Sequence, residues 1–256
     1  MKLIDTHAHL YLDQFADDRN IILENALKNS VNKILLPNID TTSIDSMLQL
    51  CDSYPNICHP MMGLHPCSVD MNFKEQLKIV ESNLKKKSFV AIGEIGIDRY
   101  WSDEFIKQQM DCFAYQLELS LQYDLPVSIH IRNSFNEIFE VLDSFKNEPL
   151  KGVFHCFSGN LADAQKAIKF GFHLGIGGTT TFKNNLQAKF LADVPLEKIV
   201  LETDSPYLAP HPFRGKRNES SYVKIIAEKV AEIYNVSLDI IAEQTSKNAL
   251  SIFNLT

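Results

Sequence analysis

Two patterns of apolar residues alternate along the chain. Short, often β-branched apolar runs are typical of buried strands, and apolar residues recurring every three or four positions are typical of amphipathic helices. Eight runs predict strands, the first reaching Ile4 and the others spanning 31–36, 57–64, 89–92, 125–129, 152–154, 172–176 and 199–201. Helices are predicted at 18–29, 41–53, 72–86, a long stretch ending at 123, 134–145, 161–170, 186–192, 221–234 and 237–253.

Regular alternation of strands and helices favours a parallel sheet. Eight such units in 256 residues predict an α/β fold of the (β/α)8 TIM-barrel type, with residues 1–256 forming one domain. The main alternative is an open, doubly wound sheet, which is disfavoured because no glycine-rich nucleotide-binding loop follows any strand. Ser102 or Asp103 is the predicted N-terminal cap of the long helix.

Metal-ligating residue types recur at the predicted strand ends. In a barrel of parallel strands these ends lie on one rim, which is where the active sites of such enzymes are found. The candidates are His7 and His9 after the first strand, Glu94 after the fourth, His130 after the fifth, His155 after the sixth and Asp204 after the eighth. Because six ligands exceed the needs of one tetrahedral ion, they indicate two neighbouring ions.

Further polar residues near the same rim are candidates for contacts with a substrate. His65 follows the third strand and either contacts substrate or braces its loop. Arg132, Arg214 and Arg217 carry guanidinium groups that match phosphate geometry. Tyr100 and Trp101 follow Glu94 and offer stacking faces of the kind that single-stranded nucleic acid uses.

Composition narrows the class of protein. The hydrophobic fraction is 45%, and no apolar run approaches the length of a membrane span. A net charge of −7 argues against broad electrostatic capture of nucleic acid, although it allows local basic groups. Five scattered cysteines without a Cys-x-x-Cys pair, and no visible secretory signal, predict a cytoplasmic protein. No obligate protein partner is indicated.

Several stretches together resemble the TatD family of metal-dependent hydrolases. They are Asp5-Thr6-His7-Ala8-His9-Leu10, Gly63-Leu64-His65-Pro66, Gly93-Glu94-Ile95-Gly96-Ile97-Asp98, His155-Cys156-Phe157-Ser158-Gly159 and Leu201-Glu202-Thr203-Asp204-Ser205-Pro206-Tyr207-Leu208. The resemblance implies a TIM-barrel hydrolase with two divalent ions per chain. One ion would be held by His7, His9, Glu94 and Asp204, and the other by Glu94, His130 and His155. Tyr11 and Arg99 depart from the pattern of the family.

The function that we expect on this basis is that of a deoxyribonuclease, with single-stranded DNA or 3′ ends as substrate. Two ions (Zn, Mn or Mg) would activate a hydroxide, and Asp204 would accept the proton beside the shared ligand Glu94. The same chemistry would also serve hydrolysis of a small ester or amide, including D-aminoacyl-tRNA deacylation. A non-catalytic binding barrel is a third hypothesis, disfavoured by six ligand-type residues on one rim.

Overall fold

Eight parallel strands run side by side in chain order, from β1 to β8, in a computed structural model that describes residues 2–255. The strands are β1 Leu3–Asp5, β2 Val31–Pro37, β3 Cys58–Met62, β4 Ala91–Asp98, β5 Val127–Arg132, β6 Gly152–Phe154, β7 Phe172–Ile176 and β8 Ile199–Leu201. Met1, at the start of the first predicted strand, lies outside the described residues.

One α-helix follows each strand from β1 to β6, 3-10 turns connect β7 to β8, and two helices follow β8. The helices are α1 Arg19–Lys28, α2 Ile44–Ser53, α3 Phe73–Leu84, α4 Ile106–Tyr123, α5 Phe135–Asp143, α6 Leu161–Lys169, α7 Val223–Tyr234 and α8 Leu238–Ile252. Within residues 2–255, none of these helices is long and apolar enough to cross a membrane.

The sheet closes on itself where β8 meets β1. The N–H of Thr6 donates to the carbonyl of Leu201 at 3.0 Å, and Ala8 and Ser205 form a parallel bridge. The N–H of Asp204 donates to the carbonyl of His7 at 2.9 Å. Because the first and last strands are neighbours, the architecture is the predicted (β/α)8 barrel, and the open-sheet alternative is wrong.

Strands β4 and β5 extend further than predicted. The structure pairs Ile95 with Ile129 and continues in register as far as Asp98 and Arg132. Strand β4 continues through Glu94 and Asp98, polar residues that were expected to follow the strand, and all eight of its residues are buried. Glu94 and His130 therefore lie within strands and not in the loops that follow: His130 pairs with Gly96, and the N–H of Glu94 donates to the carbonyl of Asn38 at 3.3 Å.

Two local predictions are wrong. The predicted helix at 186–192 is a pair of 3-10 turns, Gln187–Lys189 and Leu191–Asp193, close to Pro195, whose ring disfavours helical backbone in the residue before it. Helix α4 has no side-chain cap. Ser102 accepts the N–H of Glu104 instead, and Asp103 pairs with Arg99, so both side chains are used ahead of the helix.

Packing of aromatic rings between the barrel and its helices allows a direct test. Phe154 of β6 is fully buried, with ring centroids 5.9 Å from Phe139 of α5 and 5.3 Å from Phe172 of β7. Phe154→Ala should lower the free energy of unfolding by about 3–5 kcal/mol, measured by urea denaturation, because a cavity replaces the ring. Ile21→Ala, at a 58% exposed position of α1, should change it by about 0.5 kcal/mol or less. Equal losses would contradict this packing.

Candidate metal centre

The predicted ligands converge on Glu94 at the carboxyl ends of the strands. Its side chain is only 3% exposed, and imidazole nitrogens lie beside both of its oxygens. On one side, Oε2 lies 3.1 Å from Nε2 of His7 and 3.7 Å from Nε2 of His9. The His-x-His pair that follows β1 therefore points both rings at a single carboxylate oxygen.

The other oxygen of Glu94 faces histidines from three further strands. Oε1 lies 2.6 Å from Nδ1 of His130, 3.5 Å from Nε2 of His65 and 3.7 Å from Nε2 of His155. Each oxygen thus has its own group of imidazoles. This is the arrangement expected of a carboxylate that bridges two ions.

Asp204 lies close to histidines on both sides of Glu94. Its Oδ1 is 3.6 Å from Nε2 of His9, 3.7 Å from Nε2 of His155 and 4.0 Å from Nε2 of His7. The residue has a left-handed backbone (φ 60°) and is held by its N–H bond to the carbonyl of His7. Its side chain is 15% exposed, so it borders the accessible side of the cluster.

Hydroxyl groups orient the two histidines on the Oε2 side. Nδ1 of His7 lies 3.2 Å from Oγ of Ser128, and Nδ1 of His9 lies 3.0 Å from the hydroxyl oxygen of Tyr11. The Tyr11 hydroxyl donates to the carbonyl of Pro37 at 2.6 Å, so its oxygen accepts the proton of Nδ1 of His9. In a neutral His9 ring, Nε2 then presents a lone pair to Glu94 and Asp204.

That arrangement tests whether the cluster suits a cation. The lone pair on Nε2 of His9 faces one carboxylate oxygen of Glu94 at 3.7 Å and one of Asp204 at 3.6 Å. Acceptors that face acceptors in a buried site repel one another unless a proton or a metal ion lies between them. The donor set of imidazole nitrogens and carboxylate oxygens also matches the ligands of zinc and manganese. The residues therefore fit divalent ions.

Carboxylates orient two histidines on the Oε1 side. Nε2 of His130 bonds Oδ2 of Asp98 at 2.8 Å, and Nδ1 of His155 lies 3.0 Å from Oε1 of Glu202 in an ion-pair contact. Despite burial, Asp98 raises the pKa of His130 to about 9, and Glu202 raises the pKa of His155 to about 10. Sequence reasoning missed both roles, although each acid lies within a quoted motif.

Burial and neighbouring charge also affect the central groups. Burial alone would raise the pKa of Glu94, but the imidazoles of His65, His7 and His155 hold it well below its usual value. Burial and the charge of His155 lower the pKa of His7 to about 4. Glu94 is therefore an anion and His7 a neutral imidazole at neutral pH, the protonation states that metal binding requires, whereas His130 and His155 would each release a proton on binding an ion.

His65 differs from the other histidines in its hydrogen bonds. Its Nδ1 accepts the N–H of Cys67 at 3.0 Å, so a neutral ring carries its proton on Nε2. That Nε2 lies 3.5 Å from Oε1 of Glu94 and 3.3 Å from Nδ1 of His130. His65 therefore belongs to the cluster as a hydrogen-bond donor, which is compatible with its predicted contact to substrate.

The three candidate arginines have different environments. Arg217 forms a two-pronged ion pair with Asp18, with contacts of 2.9 and 2.5 Å, and lies over the ring of Phe15. These contacts fasten its loop to the segment before α1, so its guanidinium is occupied within the protein. The structure thus gives Arg217 a structural role, and its contact with substrate stays a prediction.

Arg132 and Arg214 have no side-chain hydrogen bond or ion pair with any residue in the 2–255 range. The guanidinium of Arg132 lies 3.6 Å from the ring centroid of Tyr100, and that of Arg214 lies 4.7 Å from the centroid of Phe182. Stacking on an aromatic face holds a guanidinium while leaving its N–H groups free. These two arginines remain candidates for binding an anion.

Comparisons with known proteins agree on one family. The family model of TatD-related DNases matches residues 4–254. The uncharacterized metal-dependent hydrolase YabD of Bacillus subtilis is 35% identical over 255 residues, which is 99% of each chain. The solved structure of YjjV, a TatD homologue from Escherichia coli K12, has a TM-score of 0.93 at 28% identity and covers 99% of this chain and 98% of its own. The match over almost the whole length shows that the chain belongs to the TatD family of metal-dependent hydrolases.

Proposed function

We propose that this protein is a divalent-metal-dependent deoxyribonuclease that hydrolyses phosphodiester bonds of single-stranded DNA or of 3′ ends. The observation that carries the proposal is the position of Glu94, with one oxygen facing His7 and His9 and the other facing His130 and His155. This division supports two ions that share one carboxylate, as phosphodiester hydrolysis commonly uses. The family name supplies the nuclease expectation.

The residues of the cluster would bind metal, accept a proton or contact the phosphate. His7, His9 and Asp204 would hold one ion with Glu94, while His130 and His155 would hold the other. Such ions, when bound, polarise a phosphate and lower the pKa of a water at the site. Asp204 would accept the proton of the attacking water, because its carboxylate borders the accessible side of the cluster. His65 would donate from Nε2 to a phosphate oxygen.

The free arginines support a phosphodiester as substrate. A phosphodiester carries a charge that must be held during attack, whereas a neutral ester or amide carries none. Arg132 ends β5, just beyond His130, and Arg214 lies on the loop after Asp204, so each follows a cluster residue. Two guanidinium groups without acidic partners in residues 2–255, on segments that follow cluster residues, therefore favour a phosphodiester over a neutral ester or amide. Aminoacyl-tRNA carries phosphates of its own, so only a direct assay separates it from DNA.

A panel of assays tests the proposed activity. Metal-stripped protein should regain hydrolysis of single-stranded DNA when Zn, Mn or Mg is added, with Zn or Mn binding more tightly because the ligands are rich in imidazole. Duplex DNA, D-aminoacyl-tRNA and a neutral ester are run in parallel. Turnover of D-aminoacyl-tRNA or the ester, without hydrolysis of either DNA, would replace the nuclease assignment.

Glu94→Ala tests the shared ligand. Removing the carboxylate that both ion sites use should reduce bound metal from two ions per chain to fewer than one, measured by elemental analysis, and abolish hydrolysis. The circular dichroism spectrum should be unchanged, because Glu94 contacts the cluster and not the hydrophobic core. Asp103→Ala removes an exposed carboxylate that pairs with Arg99 and should keep both ions. Full metal content in Glu94→Ala would contradict bridging.

Arginine variants test which guanidinium groups bind the phosphate of the substrate. Arg132→Ala and Arg214→Ala should each slow DNA hydrolysis roughly tenfold to a hundredfold, since a charge-assisted hydrogen bond typically contributes about 1.5–3 kcal/mol. Arg217→Ala, on the same loop as Arg214, should leave hydrolysis nearly unchanged and lower the free energy of unfolding by about 1 kcal/mol or less.

A neutral ester provides the control for these variants. None of the three substitutions should change its hydrolysis, because a neutral substrate presents no charge to hold. If Arg214→Ala slows both substrates equally, the residue supports the structure of the loop and does not bind phosphate. If Arg217→Ala is as harmful to DNA hydrolysis as Arg214→Ala, its ion pair with Asp18 does not describe its main role.

A further inference from the structure

A cavity of about 190 Å³ lies beside the cluster, between the turn after β3 and the segment that joins β4 to α4. Pro66 and Val69 line the first wall, and Trp101 and Phe105 line the second. The first wall continues directly into the cluster, since Pro66 follows His65 in the chain. Anything bound in this cavity would therefore lie next to the site of hydrolysis.

Two of the polar side chains that line the cavity connect it to the cluster. Asp98 accepts a hydrogen bond from Nε2 of His130 at 2.8 Å, so the cavity begins one side chain away from the metal ligands. Gln109 is only 6% exposed, and its Oε1 accepts the N–H of Asp98 at 2.9 Å. The described residues supply no hydrogen-bond acceptor for its Nε2, which leaves two donors available to a ligand.

Trp101 is the most unusual feature of the cavity. Its side chain is 73% exposed, although it is a large apolar group that proteins normally cover. Its ring packs edge-on against Tyr100, with centroids 4.8 Å apart, and Tyr100 in turn is covered by the guanidinium of Arg132. Arg132 thus occupies the stacking face of Tyr100, whereas the indole of Trp101 is held in place with most of its surface open.

We propose that this cavity binds the nucleobase of the nucleotide next to the scissile phosphate, stacked on Trp101 and bonded by Nε2 of Gln109. The inference rests on the proposed nuclease function and specifies where the substrate lies. A flat apolar wall with a buried amide donor suits a ring that has a π-face and acceptor atoms at its edge, which every nucleobase has. Arg132, whose guanidinium lies 3.6 Å from the ring centroid of Tyr100 and 5.6 Å from that of Trp101, would then hold the adjoining phosphate.

Intrinsic fluorescence tests the proposal directly, because Trp101 is the only tryptophan of the chain. Titration of the full-length, metal-loaded protein with dTMP or dAMP should quench its emission saturably. Titration with 2-deoxyribose 5-phosphate, which has the same phosphate and sugar but no base, should leave emission unchanged. Equal quenching by the base-free compound would overturn the proposal.

Kinetics with two variants provide the second test. Trp101→Leu should raise KM for a single-stranded oligonucleotide about tenfold to a hundredfold, the range that base stacking on an aromatic ring accounts for. Trp101→Phe keeps a flat ring and should recover most of that loss. On an oligonucleotide with an abasic residue next to the cleaved bond, wild-type and Trp101→Leu proteins should have the same KM.

The outcomes separate the inference from the proposed function. DNA hydrolysis with a KM that Trp101→Leu leaves unchanged would refute the base subsite while the nuclease function stands. Saturable quenching by dTMP but not by deoxyribose phosphate, in a protein that hydrolyses no DNA, would support the subsite and refute the nuclease. Circular dichroism of both variants shows whether they are folded, and Trp101 is exposed enough that we expect them to be.

Discussion

Burial of the Glu94 carboxylate is the constraint on which the arrangement of the side chains in the candidate metal centre depends. An anion that is 3% exposed is costly unless compensating groups surround it, and five imidazoles do so here. Those rings come from β1, β3, β5 and β6 or the residues just after them. Only a closed barrel of parallel strands brings these strand ends around a central residue of β4. Pairing of β1 with β8 is equally necessary, since it places Asp204 against His7.

The two sides of Glu94 are not equivalent. On the Oε2 side, His7 and His9 contact hydroxyl groups, whereas on the Oε1 side His130 and His155 contact the carboxylates of Asp98 and Glu202. A carboxylate partner makes an imidazole a more basic ligand than a hydroxyl partner does. One carboxylate therefore connects two groups of ligands with different electronic character, although the same residue types line both.

Local patterns predicted all eight strands and their order, although β4 and β5 extend beyond their predicted ends, because apolar runs and the polar residues after them are adjacent in the chain. They could not predict contacts between distant residues. Arg217 looked like a free cation until its pairing with Asp18, which is 199 positions away, was visible. Tyr11 departs from the family pattern, but its hydrogen bond with Nδ1 of His9 depends on how the two side chains are oriented, which the sequence does not show. Glu202 was overlooked because Asp204, two residues later, was the expected ligand.

Under the proposed nuclease function, the charge of the protein constrains how DNA would be held. A net charge of −7 argues against binding of a duplex through many phosphates. The groups available to bind DNA are few: Arg132 and Arg214, which have no acidic partner in residues 2–255, and the exposed indole of Trp101 beside a cavity. A base can enter that cavity only when it is unpaired and unstacked, which costs least at a strand end or in a single strand. The small number of cations and the single stacking surface therefore favour the same substrate: an unpaired strand, held at one phosphate and one base.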